Sequence, residues 1–159
     1  MPLQLSQKEK MLLQDQMSQE EICIQKYTSY AQQANDPQLK QMFNTYAQQE
    51  QTHYDTLNQI SQGKVPNMQQ GQQQGGQSQQ SGQLAGQQPS NFLCKSNDQH
   101  LCTDMLSTEK YVSGAYDTAI FEFQDHNVRA ALNHIQKEEQ GHGEGIFNYM
   151  KEKGWYQPQ

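Results

Sequence analysis

Long apolar runs are missing from this chain. No window approaches the roughly 20 apolar residues of a membrane-spanning helix, and the start Met1-Pro2-Leu3-Gln4-Leu5 lacks the apolar core of a secretory leader. The expectation is synthesis inside the cell and no membrane partner. Basic charge is scarce too, with 11 Lys and Arg against 17 Asp and Glu and a formal net charge of -6. Phosphate backbones need a basic patch, so nucleic acid is not an expected partner. Cysteine is limited to Cys23, Cys94 and Cys102. An odd number without a Cys-x-x-Cys spacing argues against a disulfide framework and a zinc knuckle. The three read as small buried or partly exposed thiols, with an intermolecular cross-link as the alternative. No Ser-His-Asp arrangement, phosphate loop or basic-aromatic patch is visible. Only 33% of the 159 residues are hydrophobic, which still serves a bundle, because each helix needs only one apolar seam.

Such seams are present. Residues 1–8 read as a frayed lead-in, and from about Ser6 the positions Leu13, Met17, Glu20, Ile24, Tyr27, Ala31 and Ala34 recur at steps of four and three. The run stops at Asn35-Asp36-Pro37, where Asp36 suits an N-cap and Pro37 a first helical position, so two antiparallel helices should meet at a tight turn. The second helix repeats the rhythm with Leu39, Phe43, Tyr46, Glu50, His53, Leu57 and Ile60. These two helices form a first hairpin over 6–61. Residues 62–97 are dominated by Gln, Gly and Ser, with too little apolar surface to offset the entropy of ordering them, and read as a flexible linker. Cross-linking or polar self-association of the glutamines is the alternative.

The first half then returns. At a constant offset of 89 residues, and without a gap, Glu50 meets Glu139, His53 meets His142, Glu20 meets Glu109 and Tyr27 meets Tyr116, while Asp36 meets Asp125. The chain is a duplicated helical hairpin, the second copy covering 98–154. Its seams are Cys102, Leu106, Glu109, Ser113, Tyr116, Ile120 and Phe123, then Val128, Leu132, Ile135, Glu139, His142, Ile146 and Tyr149.

Each half carries a Glu-x-x-His, and residues at i and i+3 share a helix face. Glu20 and Glu50 flank the Asp36 turn at similar distances, roughly 21–24 Å at 1.5 Å per residue, and Glu109 and Glu139 flank Asp125 in the same way. Packing the hairpins together brings Glu20, Glu50, His53, Glu109, Glu139 and His142 to one level of the core. Buried unpaired carboxylates cost several kcal/mol each and repel one another, whereas two divalent cations would supply about four compensating charges. A Glu from each of two helices and a Glu-x-x-His from each of the others is the ligand set of dinuclear carboxylate bundles. The donors suit two iron or manganese ions, zinc is compatible, and calcium would not want the imidazoles. A site held by protonated carboxyls, water and hydrogen bonds is the alternative. Tyr27 and Tyr116, two turns beyond Glu20 and Glu109, read either as hydroxyl donors orienting a ligand carboxylate or as plain aromatic core. Glu21 and Glu138 have Lys110 and Gln49 as repeat partners and read as a solvated face; His100, His126 and His134 read as surface or capping residues.

The helix order and ligand pattern resemble the ferritin-like superfamily, in which a long crossover joins helices two and three. The pattern Glu20, Glu50-x-x-His53, Glu109, Glu139-x-x-His142 is especially similar to manganese catalases and to the di-iron domain of rubrerythrins. Val112 stands where rubrerythrins add a further carboxylate, and their rubredoxin-type cysteine module is missing. The second half also resembles the coat F family of bacterial spore coat proteins, on Asp104-Met105-Leu106-Ser107-Thr108-Glu109-Lys110, Tyr116-Asp117-Thr118-Ala119-Ile120 and the ending Tyr149 to Tyr156 with Gly154-Trp155-Tyr156. That resemblance implies a place in the spore coat, synthesis in the mother cell and other coat proteins as partners. Gly154 reads as the stop of the last helix and Trp155 as an apolar lid on the bundle end. The expectation is an all-α, ferritin-like four-helix bundle with a dinuclear site, structural or metal-binding in the coat. The alternative is a metal-dependent oxidoreductase acting on peroxide or oxygen. A homo-oligomer, including a hairpin-swapped dimer, is a further expectation, since the linker is long.

Overall fold

The computed structural model describes residues 3–67 and 91–159, with side chains from residue 97 onward in the second stretch. Four helices follow one another: α1 Gln7–Gln33, α2 Pro37–Ser61, α3 Asn91–Glu122 and α4 His126–Glu152. Local chemistry sets most of their ends. Ser6 and Glu9 form a capping box at the start of α1. Asp36 accepts from the Gln38 N–H ahead of Pro37, and Asp125 accepts from the N–H groups of Asn127 and Val128. Beyond α2 and α4 the chain turns at Gly63 (φ 77°) and Gly154 (φ 73°), left-handed conformations that favour glycine.

The helices pair as two hairpins, α1 with α2 and α3 with α4, and the hairpins meet through α1 against α3, with a lighter contact between α2 and α4. This is the all-α bundle that the duplication predicts. Two differences concern the margins. The lead-in is tied down: Leu3 and Leu5 pack on the core, and the Leu3 N–H reaches the Gly63 carbonyl at 3.3 Å. Helix α3 begins at Asn91, ahead of the boundary at residue 98, because the stretch from Asn91 to Asn97 holds no glycine or proline to stop it. Residues 68–90 of the Gln/Gly-rich linker lie outside the described residues, as does the side chain of Cys94.

The apolar core is split in two. Leu13, Leu57, Ile60, Val112, Tyr116, Ile120, Leu132 and Ile135 belong to one cluster, and Tyr27, Leu39, Phe43, Met105, Ile146 and Tyr149 to the other. Several seam positions shift by one residue: Cys23, Met105 and Val112 are fully buried, while Met17, Ile24, Tyr46, Leu106 and Ser113 are half-buried. A bundle helix buries a stripe wider than a strict four-three rhythm. Trp155 packs against Tyr149 with ring centroids 5.9 Å apart.

Two buried acids lock the hairpins together reciprocally. Glu9 on α1 accepts the Gln124 N–H of the α3–α4 turn at 2.8 Å. Asp98 on α3 accepts the N–H groups of Asn35 and Asp36 in the α1–α2 turn at 2.8 and 3.0 Å. Burial alone would raise the Glu9 carboxyl, but the Gln124 N–H and the Ser6 hydroxyl and N–H hold it below its ordinary value.

Candidate metal centre

Between the two apolar clusters lies a polar layer. Its members are Glu20 on α1, Glu50 and His53 on α2, Glu109 on α3, and Glu139 and His142 on α4, none more than 2% exposed. The 3.6-residue period puts Glu50 with His53, and Glu139 with His142, on single helix faces, and similar distances from the turns bring the four helices to the same level. His53 Nδ1 stands 3.1 Å from Glu50 Oε2, 3.3 Å from Glu139 Oε1 and 3.8 Å from Glu20 Oε2. His142 Nδ1 stands 3.1 Å from Glu50 Oε1, 3.3 Å from Glu109 Oε1 and 3.4 Å from Glu139 Oε2. Glu50 and Glu139 thus turn one oxygen to each imidazole, while Glu20 and Glu109 each serve one. The donor atoms gather into two groups, Glu20, Glu50, His53, Glu139 and Glu50, Glu109, Glu139, His142, each within 4.8 Å.

The surroundings orient these donors. Tyr27 donates to Glu109 Oε1 and Tyr116 donates to Glu20 Oε1, each across the hairpin interface. On the far side of the rings, His142 Nε2 lies 2.6 Å from Gln49 Oε1 and His53 Nε2 lies 2.6 Å from Glu138 Oε2. An amide oxygen only accepts, so His142 carries a proton on Nε2, and its Nδ1 is the nitrogen turned to the acids. Glu138 corrects the reading of that residue as a solvated face: it sits one position before Glu139, reaches across to the other hairpin and is also held by His134 at 3.2 Å. The repeat obscured it because its partner is the uncharged Gln49, although both side chains end in an acceptor oxygen. Glu21, His100 and His126 are exposed, and the His134 side chain is 53% exposed. Tyr46 stacks on His142 with centroids 4.3 Å apart, over Gly145, where a Cβ would collide with the phenol oxygen.

Burial drives the carboxyls of Glu20 and Glu109 well above the ordinary range, against the pull of His53 and His142 respectively. Burial acts in the same direction on Glu50 and Glu139, but the two imidazoles outweigh it, by hydrogen bonds to Glu50 and by their nearness to Glu139, and hold these two below that range. Desolvation would lower the imidazoles; the carboxylates override it, raising His53 well above its usual value and His142 to about 12. Without cations, burial thus favours the protonated form of Glu20 and Glu109, while Glu50 and Glu139 and the two imidazoles favour one another's charged forms. Even so, among the described residues Glu20 Oε2, Glu109 Oε2 and both oxygens of Glu139 are buried without a hydrogen bond. Unbonded buried oxygens beside imidazole nitrogens make a donor set that fits a metal ion, which Glu20, Glu50, His53, Glu109, Glu139 and His142 would hold. Burial, with the neighbouring carboxylates, pushes the Cys23 thiol up, so it is an uncharged filler beside the layer. Val112 occupies the equivalent place in the second hairpin.

Residues 97–159, which cover most of α3 and all of α4, match the Coat F domain. The chain is also similar to the Uncharacterized protein YusN of Bacillus subtilis (strain 168), 33% identical over 60 residues, or 38% of this chain. That match spans about half of the relative's length, 54%. No solved structure matches the chain.

Proposed function

We propose that this chain is a metal-binding protein of the bacterial spore coat, in which Glu20, Glu50, His53, Glu109, Glu139 and His142 hold two iron or manganese ions that staple the bundle. The observation that carries the metal reading is the arrangement of Glu50 and Glu139, each with one oxygen toward either imidazole, beside four buried oxygens that take no hydrogen bond. The Coat F match over residues 97–159 supports the place. Bound cations would supply the positive charge that protons supply in their absence. Tyr27 and Tyr116 fix the terminal carboxylates of Glu109 and Glu20, and Gln49 and Glu138 fix the imidazole rings so that Nδ1 points inward.

Together the hairpins over 6–61 and 98–154 form one bundle, and the contacts between them can equally form between two chains. Other coat proteins and a hairpin-swapped dimer are the partners this reading predicts, and solution mass measurement tests the dimer. Elemental analysis of the purified protein tests the centre: two iron or manganese ions per chain are expected, and Glu109→Ala should lose at least one. Protein purified from metal-supplemented cells with no bound transition metal overturns the reading. The loaded protein should consume hydrogen peroxide no faster than the free ions; faster consumption would make the centre a redox enzyme rather than a staple.

A further inference from the structure

We propose that divalent cations reach the buried acids through the second hairpin, by a cleft between α3 and α4 that Gly143 keeps open; this rests on the dinuclear reading above. A cavity of about 510 Å³ lies between these helices. Leu106 and Gly143 line it, Lys110 and Glu144 stand at its exposed rim, and it ends on Glu109 and Glu139. Those two line the cleft yet are only 2% and 0% exposed.

Nothing in the packing demands a glycine at position 143. A Cβ there would stand 3.8 Å from Leu106 Cδ1 and 4.0 Å from Glu109 Cβ, ordinary van der Waals contacts. Glycine weakens a helix interior, and its visible effect here is the space it leaves opposite Glu109. The duplication provides the comparison. At the offset of 89, Gly143 corresponds to Tyr54, Leu106 to Met17 and Glu109 to Glu20. Tyr54 is half-buried with its hydroxyl toward Glu21, so the first hairpin carries an aromatic ring where the second carries no side chain. A second cavity, of about 400 Å³, adjoins His53, His134 and Glu138, but none of the layer's four glutamates lines it. It meets His53 on the ring edge already held by Glu138 at 2.6 Å, away from Nδ1.

The test is stopped-flow loading of the metal-free full chain with iron(II) alone, under anaerobic conditions, with final stoichiometry measured on the same samples. Gly143→Tyr should bind the same two ions as the parent but load about tenfold more slowly or worse, a barrier increase of roughly 1.4 kcal/mol. Tyr54→Ala should load at least as fast as the parent, and Thr56→Trp, which fills the second cavity, at the parental rate. Parental loading in Gly143→Tyr, or slowed loading in Thr56→Trp, overturns the route. If Gly143→Tyr fails to fold by circular dichroism, Gly143→Leu fills the same cleft and is judged by the same two outcomes. A parent chain that binds no ion at all contradicts the dinuclear reading itself, whereas a loaded centre with an unaffected Gly143→Tyr rate contradicts only the route.

Discussion

Stripping the cations from this bundle should lower its melting temperature by on the order of 10 °C, given a few °C per kcal/mol for a chain of this size. The magnitude comes from the four oxygens of Glu20, Glu109 and Glu139 that are buried without a hydrogen bond. Each such group costs about 1–3 kcal/mol. Protonation of Glu20 and Glu109 relieves part of that, so the lower end applies, about 4 kcal/mol in all. Mass action gives the same size: each ion at a hundredfold excess over its Kd contributes about 2.7 kcal/mol. The assay is differential scanning calorimetry with excess manganese(II) and again with excess chelator. The Glu50→Gln variant serves as the control, because it removes a carboxylate that faces both imidazoles. A parent protein whose transition moves by less than about 2 °C, under one kcal/mol at this size, refutes the claim that cations compensate the layer.

Tyr116→Phe removes the donor to Glu20 Oε1 and leaves a carboxyl whose other oxygen already lacks a partner, so urea denaturation should show a loss of about 1–3 kcal/mol. A loss under about 0.5 kcal/mol would mean that water replaces the phenol. Glu9 titrates below its ordinary value in the fold, so its contribution is present above the unfolded value of about 4.3 and is lost as pH falls through the lower folded one. Glu9→Gln should therefore flatten the acid side of the stability curve in that window and leave neutral Glu-linked pH dependence unchanged; an identical acid limb would rule the clasp out. Gly145→Ala pushes the Tyr46 phenol off His142. The expected signature is a changed His142 ring chemical shift in the metal-free protein, and an unaltered shift would contradict the stacking.

The bundle was legible because duplication turns weak local signals into a consistent one: a single Glu-x-x-His is ambiguous, but Glu20, Glu50, His53 and their partners at the same offset define a layer. Asp36-Pro37 marked one turn as plainly as Asp125 marked the other. Contacts that cross between hairpins were less legible, since spacing within a helix says nothing of what a long side chain reaches. Glu138 reads as solvated surface because its repeat partner is the uncharged Gln49, and only its reach to His53 makes it part of the layer's surroundings. The Glu9 and Asp98 clasps carried a readable sign, because the offset of 89 pairs acid with acid there too. The buried strip beside the expected seam, with Cys23 and Val112 for Ile24 and Ser113, follows from helix rotation that tertiary packing alone decides.

Anomalous diffraction from crystals of the manganese- or iron-loaded chain is the most direct measurement. Two peaks between Glu50 and Glu139, one beside Glu20 and His53 and the other beside Glu109 and His142, are predicted. No peak in the layer, or ions bound only at surface carboxylates, would contradict the account.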